Sequence, residues 1–570
     1  MRRKSLRLLL PLVTLLLALG LAGCGGDDDD GDEAAQTGGQ ETTEAPAGGT
    51  LVFGTASDPV ALDGALVSDG ESLRVIQQIF ETLVALEPGT TEPVPGLAQS
   101  WEPNEDGTVW TFALKPDVTF HDGTPFNAEA VCTNFDRWYN FKGPFQNPSA
   151  SYYWQVVFGG FATHDNPDAP EESLYQSCEA TDELTATITL SKPSATFIPA
   201  LAQTSFAIAS PDALTEFQAD LGTVDADGIF HPEGTFGTEH PVGTGPFMFE
   251  SWTRGESLTI VRYEDYWGEP AHLDSVVFRP IADNAARLQA LQAGDIQGYD
   301  LVEPQDIETI NADSNLAIVD RPPFNVAYVG INVGTPPLDD PEVRKALAHG
   351  LDRQAVVDNF YAGRAEVAKN FMPPDLEGYA DDVTEYPYDP DMAKQILTDA
   401  GYDLPVEIDF WYPTDVSRPY MPDPKRNFEA FAASLNESGF KVTPHSAVWS
   451  PDYLGRANEG KLPVFLLGWT GDYGDADNFL GTFFQTPGAQ FGTLKNPNQE
   501  VHDILAEAEA EPDQATRIGL YEEANRLIAD WIPGVPYAHS SPALAFTANV
   551  QGFVPSPTTN ESFATVSITE

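Results

Sequence analysis

The sequence predicts an α/β protein of two or three domains, because strand and helix patterns alternate along a chain too long for one core. The chain has 570 residues, and a single hydrophobic core stops growing at about 250–300 residues. Between residues 404 and 485, the patterns follow the order strand, helix, strand, helix, strand. That order is typical of a parallel sheet with helices on its faces. Ligands of such sheets bind beyond the carboxyl ends of the strands.

The elements between residues 404 and 485 follow from short apolar patterns. The predicted elements are a strand at Val406–Phe410, a helix at Phe428–Leu435, a strand beginning at Lys441–Thr443, a helix at Pro451–Glu459 and a strand at Val464–Leu467. The first and third strands lead into two loops, Tyr412–Tyr420 and Trp469–Asp477. We expect a binding site where these two loops meet.

The chain before this region predicts a smaller α+β unit at residues 77–195. Its predicted strands are Trp110–Leu114 and Leu184–Leu190. Asn127 can cap a helix between them, because its side chain can accept a hydrogen bond from the first helical turn. Two later helices are predicted to begin at Asp340 and Asp389, each of which is followed by proline.

The N-terminal segment has the layout of an export signal. A basic head at residues 1–7 precedes the apolar run Leu8–Leu19 and a Leu-Ala-Gly-Cys tetrad that ends at Cys24. The apolar run is shorter than the roughly 20 residues that span a membrane. The tetrad resembles the bacterial lipobox, in which cleavage precedes the cysteine and the thiol receives lipid. We therefore expect a signal peptide at 1–23 and a lipid on Cys24.

The segment 24–50 is polar, contains Asp27–Asp30, and has little apolar surface to bury. It predicts a flexible tether that holds a folded body at the outer face of the bacterial cytoplasmic membrane. The formal net charge of −58 excludes a general nucleic-acid binder, which needs a basic surface. Cys132 and Cys178 remain as an even pair in an exported chain, which favours a disulfide. A two-cysteine metal site is a weaker alternative, because no histidine lies near either cysteine at a ligand spacing.

Two side chains of opposite charge occupy the predicted loops. Asp472 follows a Gly-Trp-Thr-Gly string in which Trp469 offers an apolar wall, and Arg418 can fork around a carboxylate. A cation site and an anion site at neighbouring strand ends would hold a zwitterion. The residue types equally allow Arg418 and Asp472 to pair with each other or with solvent.

The residue spacings do not fit a calcium site or the common enzyme motifs. A calcium loop beginning at Asp475 would need glycine and glutamate where Leu480 and Thr486 stand. The chain lacks the common hydrolase, zinc-protease, phosphate-binding and dinucleotide motifs, and its histidines are scattered. A secreted hydrolase that uses Asp472, Asp475 and Asp477 is the distant alternative, although acids in one loop are more often solvated. We expect no catalytic residue, no metal and no cofactor.

Several strings along the chain recur together in one known family. They are Glu92–Trp101, Phe120–Ala128, Pro241–Phe247, Leu291–Ile296 and Asp340–Leu347. With them the chain resembles the extracellular solute-binding proteins of family 5, which serve ABC importers of peptides and nickel. The resemblance implies a two-lobed periplasmic-binding-protein-like fold of type II (large cluster C), with three domains and a hinge. The implied domains are 51–76 with 196–325 and 545–570 (domain I), 77–195 (domain II) and 326–544 (domain III), with crossovers near Phe324–Asn332 and Val535–Phe546.

The nearest resemblance is to dipeptide-binding proteins, whose Gly-Trp-Thr-Gly-Asp and Arg-Pro-Tyr strings stand here at 468–472 and 418–420. It implies that Asp472 binds the ammonium of a peptide and Arg418 its carboxylate. The other implied ligand-binding residues are Gly468, Trp469, Thr470 and Tyr420. The resemblance is weakest between Phe141 and Glu172, a segment that in this family helps to close over ligand side chains.

The predicted protein is a lipid-anchored, monomeric receptor that binds short peptides, dipeptides in particular, and delivers them to an ABC importer permease. It makes and breaks no bond and binds no nucleic acid. Alternatives within the same receptor role are oligopeptides, nickel chelates and oligosaccharides.

Overall fold

Three larger sheets organise the chain in the computed structural model, which describes residues 48–147, 150–167, 169–225 and 230–569. Helices and strands alternate throughout, so the predicted α/β class is confirmed. The predicted signal peptide 1–23, Cys24 and nearly all of the predicted tether lie outside the described residues. No helix in the described ranges is both long and apolar enough to cross a membrane.

The first sheet has seven strands and combines the two ends of the chain. In spatial order its strands are Phe247–Thr253, Ser257–Arg262, Ser275–Pro280, Thr50–Thr55, Gly298–Tyr299, Ala543–Thr547 and Leu316–Asp320. Thr50 pairs with Ser275, and the Gly49 amide donates to Asp274 at 2.8 Å. The ladder of this sheet therefore includes Thr50, the last residue of the predicted tether.

The second sheet has six strands and contains the strands predicted between residues 404 and 485. In spatial order its strands are Ala365–Glu366, Gly534–Ser540, Asn325–Ile331, Val464–Thr470, Val406–Thr414 and Phe440–Val448. Val406–Thr414 is parallel to both of its neighbours, as predicted, whereas Asn325–Ile331 pairs antiparallel on both sides. The sheet is thus mixed, because the chain enters and leaves this body through antiparallel strands.

One strand of this sheet is longer than predicted. Val406–Thr414 extends into the predicted loop Tyr412–Tyr420, because Phe440–Val448 pairs with its whole length. The predicted helix at Pro451–Glu459 is present as a π-helical turn at Trp449–Tyr453 followed by the α-helix Leu454–Asn458.

The third sheet has four strands and belongs to the predicted smaller unit. In spatial order its strands are Ala98–Pro103, Val109–Leu114, Thr185–Leu190 and Tyr175–Asp182. Cys178 on the last of these strands forms a disulfide with Cys132 of the adjacent helix, as predicted, with the Cα atoms 5.1 Å apart. Three further strand pairs are short: Val84–Leu86 with Pro93–Pro95, Gly222–Val224 with Phe230–Pro232, and Val550–Gln551 with Ser567–Ile568.

The helices cover the faces of these sheets. They are Gly70–Ile79, Ala128–Tyr139, Tyr152–Phe158, Phe197–Ala200, Pro211–Glu216, Phe236–Glu239, Asn284–Ala293, Ile307–Asn311, Pro341–Gly350, Arg353–Phe360, Pro390–Asp399, Pro424–Glu437, Leu454–Asn458, Leu480–Phe484, Gln499–Ala510 and Gln514–Trp531. The predicted caps are present, since the side chains of Asn127, Asp340 and Asp389 each accept a hydrogen bond from the first turn of their helix.

The sheets divide into two lobes with separate hydrophobic cores. The largest core lies within Phe324–Ala538 and surrounds the six-stranded sheet. The cores of the other two sheets draw on residues before 319 and after 542. The chain crosses between the lobes at 321–324 and returns at 541–542; the crossovers were predicted near Phe324–Asn332 and Val535–Phe546. The predicted two-lobed fold is confirmed, while the three domain boundaries stay a prediction.

Candidate functional site

A cavity of about 1840 Å³ separates the lobes. Ligand pockets are commonly about 300–1,000 Å³, so this cavity exceeds the needs of a small ligand. Tyr152 and Tyr153 line it from one lobe, and Arg418, Trp469 and Asp472 line it from the other. The predicted site residues therefore face a single interlobe space.

Asp472 is held by hydrogen bonds from both lobes. Its amide donates to Oδ1 of the buried Asn478 at 2.8 Å, and the Asn478 Nδ2 donates back to Asp472 Oδ2 at 3.4 Å. From the other lobe, the Tyr153 hydroxyl donates to Asp472 Oδ1 at 3.1 Å. The carboxylate thus has a fixed orientation at the end of its strand.

The environment of Asp472 suits a cation. Burial raises the pKa of Asp472 to about 6, and the hydrogen bonds from Asn478 and Tyr153 oppose this rise. In the described part of the chain its carboxylate has amide and hydroxyl partners but no cationic one. A half-buried carboxylate without a counter-charge gains the most from a ligand that brings a positive group.

Arg418 lies in a tight turn on the same lobe. Its amide donates to the Met421 carbonyl at 3.1 Å, and the Met421 amide donates back to the Arg418 carbonyl at 3.0 Å. The guanidinium carbon lies 5.2 Å from the centre of the Trp449 ring and 6.0 Å from that of Tyr420. Its Nε is buried and finds no hydrogen-bond partner among the described residues. Arg418 and Asp472 do not pair with each other, so both charges remain available to a ligand.

Gly468, Trp469 and Thr470 lie within a strand, whereas the sequence placed Trp469 in the loop after it. The strand continues to Thr470 because Asn325 pairs with that residue and extends the ladder. Trp469 is half-buried, lines the cavity, and donates from its indole nitrogen to Asn478 Oδ1 at 3.1 Å. The buried Thr470 hydroxyl has no partner in the described residues.

Gly468 makes room for Tyr420. A Cβ at Gly468 would come within 2.3 Å of the Tyr420 ring and 2.4 Å of the Val326 carbonyl oxygen. Real Cβ atoms essentially never make such contacts, so only glycine fits here. The glycine therefore fixes the buried Tyr420 beside Arg418, which connects the two predicted strings in space.

The other two acids of this loop, Asp475 and Asp477, make contacts within the protein. Both oxygens of the buried Asp475 accept hydrogen bonds from Arg517 at 2.7 Å. Burial, together with the nearby Asp475 and Glu509, raises the pKa of Asp477 to about 7. The expectation that these acids are solvated was wrong for Asp475, because Arg517 compensates its burial. A carboxylate bonded in this way is not free for hydrolysis.

Tyr153 and Asn478 are site residues that the sequence analysis missed. Asn478 lies within the region it singled out, six residues after Asp472, but an asparagine in a loop gives no specific signal. Tyr153 lies 319 residues before Asp472 and in the segment with the weakest family resemblance. The adjacent aromatic residues 152–154 were the one available signal.

The fold and the site define a class: two-lobed proteins that bind a ligand between their lobes. A family model described as bacterial extracellular solute-binding proteins, family 5, matches residues 92–491. The chain belongs to this family, whose members are substrate-binding receptors that work with ABC permeases, and it is close to the dipeptide-binding proteins.

Individual relatives agree with this assignment. A dipeptide-binding protein of Escherichia coli is 31% identical, covering 91% of this chain and 94% of its own. A protein of Haemophilus influenzae named heme-binding protein A is 33% identical, covering 97% and 98%. A periplasmic binding protein of Helicobacter pylori, solved with the peptide STSA, superposes with a TM-score of 0.75 at 28% identity over 92% of this chain and 99% of its own.

Proposed function

We propose that this protein is a receptor for short peptides, held at the membrane by lipid on Cys24, and that it delivers them to an ABC importer. Asp472 binds the peptide ammonium and Arg418 binds the carboxylate. The observation that carries the proposal is the presence, in one cavity, of a half-buried carboxylate and a half-buried guanidinium that do not pair with each other. A free peptide supplies an ammonium for Asp472 and a carboxylate for Arg418.

A receptor that binds the two charged termini of a peptide does not select among its side chains. The two charged residues lie on one lobe, while the cavity of about 1840 Å³ leaves space around the ligand. Because both termini are anchored, the length of the ligand is restricted more than its sequence. We infer that the receptor accepts many dipeptides.

Other ligands of the receptor class fit less well. Oligosaccharides have no charged ends for Asp472 and Arg418. For nickel, the described residues contain no cluster of three or more His, Cys, Asp or Glu side chains that could hold the ion directly. Haem is often ligated by histidine, cysteine or methionine, and the described lining contains none of them.

Titration calorimetry tests the proposal. The protein is freed of bound ligand by unfolding and refolding without reductant, then titrated with di-, tri- and pentapeptides and with haem. Free dipeptides should bind, and N-acetylation or C-amidation should each weaken binding strongly. Tight binding of doubly capped peptides would contradict the two-charge arrangement. If haem binds and no peptide does, the ligand of this receptor is a porphyrin and the proposal is wrong.

The Arg418 role has its own variant. Arg418→Lys keeps the charge but loses the planar fork, so the free dipeptide should bind about tenfold more weakly. The C-amidated dipeptide is the matched control, because its affinity should be the same for both proteins. Equal affinity of variant and wild type for the free dipeptide would remove Arg418 from the carboxylate site.

The membrane anchor is tested on cells. The wild-type chain should partition into detergent and carry lipid at Cys24 by mass spectrometry, whereas Cys24→Ala should be released into the medium. Retention of Cys24→Ala at the membrane would mean that the attachment does not depend on this lipid.

A further inference from the structure

The two lobes contact each other directly along one edge of the cleft, outside the interlobe cavity. Thr91, Lys192 and Ala195 make these contacts from one lobe, and Gly474 and Glu509 make them from the other. None of these five residues lines the cavity. We call this set of five residues the rim contact, and a ligand in the cavity need not touch it.

Gly474 lies directly against Thr91 of the other lobe. A Cβ at Gly474 would lie 2.5 Å from the Thr91 Cβ, 2.9 Å from the Thr91 carbonyl oxygen and still closer to Thr91 Oγ1, and no atom of its own lobe would be nearer. Atoms this close must move apart. The φ of Gly474 lies outside the left-handed region, so its own backbone does not require glycine. The contact with the other lobe is therefore what excludes a side chain at position 474.

The second part of the rim contact is the end of the helix Gln499–Ala510. The last carbonyls of a helix have no partner within it. Here the Glu509 carbonyl accepts a hydrogen bond from the Ala195 amide of the other lobe at 3.3 Å. Lys192 Nζ, also of that lobe, donates to Glu509 Oε2 at 3.0 Å, and a cation is favourable at the end of a helix. A segment of one lobe thus caps a helix of the other.

Arg517 joins the two parts of the rim contact into one surface. Its Nε donates to the Ala508 carbonyl at the end of the helix, at 3.1 Å, and its other two nitrogens donate to Asp475 at 2.7 Å. Asp475 directly follows Gly474. Because the helix end and the loop are tied together, the contacts with the other lobe form and break as a unit.

We propose that the rim contact is a latch, which stabilises the closed arrangement of the lobes by protein–protein contacts whatever the ligand. It goes beyond the proposed function, because it requires a ligand between the lobes but not a peptide. The apparent affinity of a ligand scales with the fraction of receptor in the conformation that binds it. Weakening the latch should therefore lower the affinity for every ligand by the same factor.

Gly474→Ala tests the latch, since its Cβ keeps the lobes apart. Calorimetry with a free dipeptide and with its N-acetylated and C-amidated forms should show all three affinities reduced about tenfold, with their ratios unchanged. Small-angle X-ray scattering, recorded before any ligand is added, should give the variant a larger radius of gyration than the wild type. A variant that disturbed the neighbouring Asp472 instead would change the ratio between the free and the N-acetylated dipeptide.

A second substitution should rescue the first. Thr91→Gly removes the Cβ and Oγ1 that the new methyl group meets, so Thr91→Gly combined with Gly474→Ala should recover most of the lost affinity. Gly488→Ala is the matched control in the same lobe, because a Cβ there would meet only the Thr486 carbonyl oxygen at 4.0 Å. Its affinities and its radius of gyration should equal those of the wild type.

Lys192→Met tests the ionic part of the latch. The Lys192 side chain is 57% exposed, so the loss of its ion pair should weaken all three ligands only about two- to fivefold. This factor should shrink in about 500 mM sodium chloride, which screens the pair in the wild type. Lys441→Met is the control: Lys441 is similarly exposed and pairs with Glu407 of its own lobe at 2.8 Å. It should leave the affinities unchanged.

The outcomes separate the latch from the proposed function. If Gly474→Ala binds as the wild type does, changes the ratios among the three ligands, or is not rescued by Thr91→Gly, the latch is overturned. If no peptide binds to the wild type, the proposed function fails, and scattering alone decides the latch. Equal radii of gyration for the wild type and Gly474→Ala would then overturn it as well.

Discussion

At the scale of single residues, Asp472 links binding to pH. Burial raises its pKa to about 6, and only the ionised carboxylate attracts an ammonium. Burial and the nearby charge of Asp472 raise the pKa values of Tyr152 and Tyr153, so both hydroxyls stay neutral at these pH values. Peptide affinity should therefore fall about tenfold between pH 7 and pH 5, because protonation removes the charge.

Calorimetry at these two pH values checks this expectation, with Asp472→Asn as the control. The variant should lose roughly 2–5 kcal/mol of affinity and should bind with the same weak affinity at both pH values. An unchanged wild-type affinity at pH 5 would show that Asp472 is not the group that titrates.

At the residue scale, the sequence located cavity-lining residues where neighbouring residues along the chain carry the signal, and their roles in ligand binding stay a prediction. Asp472 and Arg418 were assigned from local strings, and both line the cavity as expected. Tyr153 could not be found in this way, because folding brings it to Asp472 from 319 residues away in the chain. The hydrogen bond between these two residues forms only when the two lobes are packed together.

At the scale of elements, a buried ion network joins the base of the cleft. Arg321 makes bidentate hydrogen bonds to both Asp300 and Glu561 at 2.6–2.8 Å, and it is 2% exposed. Burial raises the pKa of Asp300, but the positive charges of Arg321 and Arg74 outweigh it and hold that pKa below its usual range. Arg321 is the first residue of the first crossover, so the network fixes the start of the hinge.

Removal of Arg321 should destabilise the protein. Arg321→Met leaves two carboxylates buried without their main partner, which should cost roughly 3–5 kcal/mol of unfolding free energy. Arg526→Met is the control, because Arg526 is about one-third exposed and makes surface ion pairs that contribute little. Denaturant unfolding that gave both variants the same stability would refute the structural role of the network.

The disulfide acts on the unfolded chain. The bond between Cys132 and Cys178 spans 46 residues, so its loss in a double alanine variant should cost about 2–4 kcal/mol. Denaturant unfolding of that variant against the oxidised wild type measures the cost. A variant as stable as the wild type would mean that the helix and strand hold together without the bond.

Element prediction was most accurate where sequence periodicity and capping agree. The helix capped by Asn127 begins where predicted, because the cap is a local interaction. The ends of the strands were less accurate, since Val464–Thr470 continues as far as its partner Asn325–Ile331 allows. A pairing partner more than 130 residues away determines this length, and no local pattern encodes it.

At the scale of the whole molecule, charge opposes compactness. The formal net charge of −58 produces repulsion across the surface. Raising sodium chloride from about 10 to about 500 mM shortens the screening length severalfold, so the melting temperature should rise by several degrees. Scanning calorimetry near pH 4.1, the sequence pI, is the control, because little net charge remains there. A melting temperature independent of salt at pH 7 would show that local ion pairs outweigh the net charge.

One strand joins the two parts of the seven-stranded sheet. Ala543–Thr547 lies between Gly298–Tyr299 and Leu316–Asp320 and pairs with both. Those two strands precede the first crossover, whereas Ala543–Thr547 follows the second, so the sheet closes only when the chain has returned from the other lobe. Loss of this one strand would therefore separate Leu316–Asp320 from the rest of the sheet.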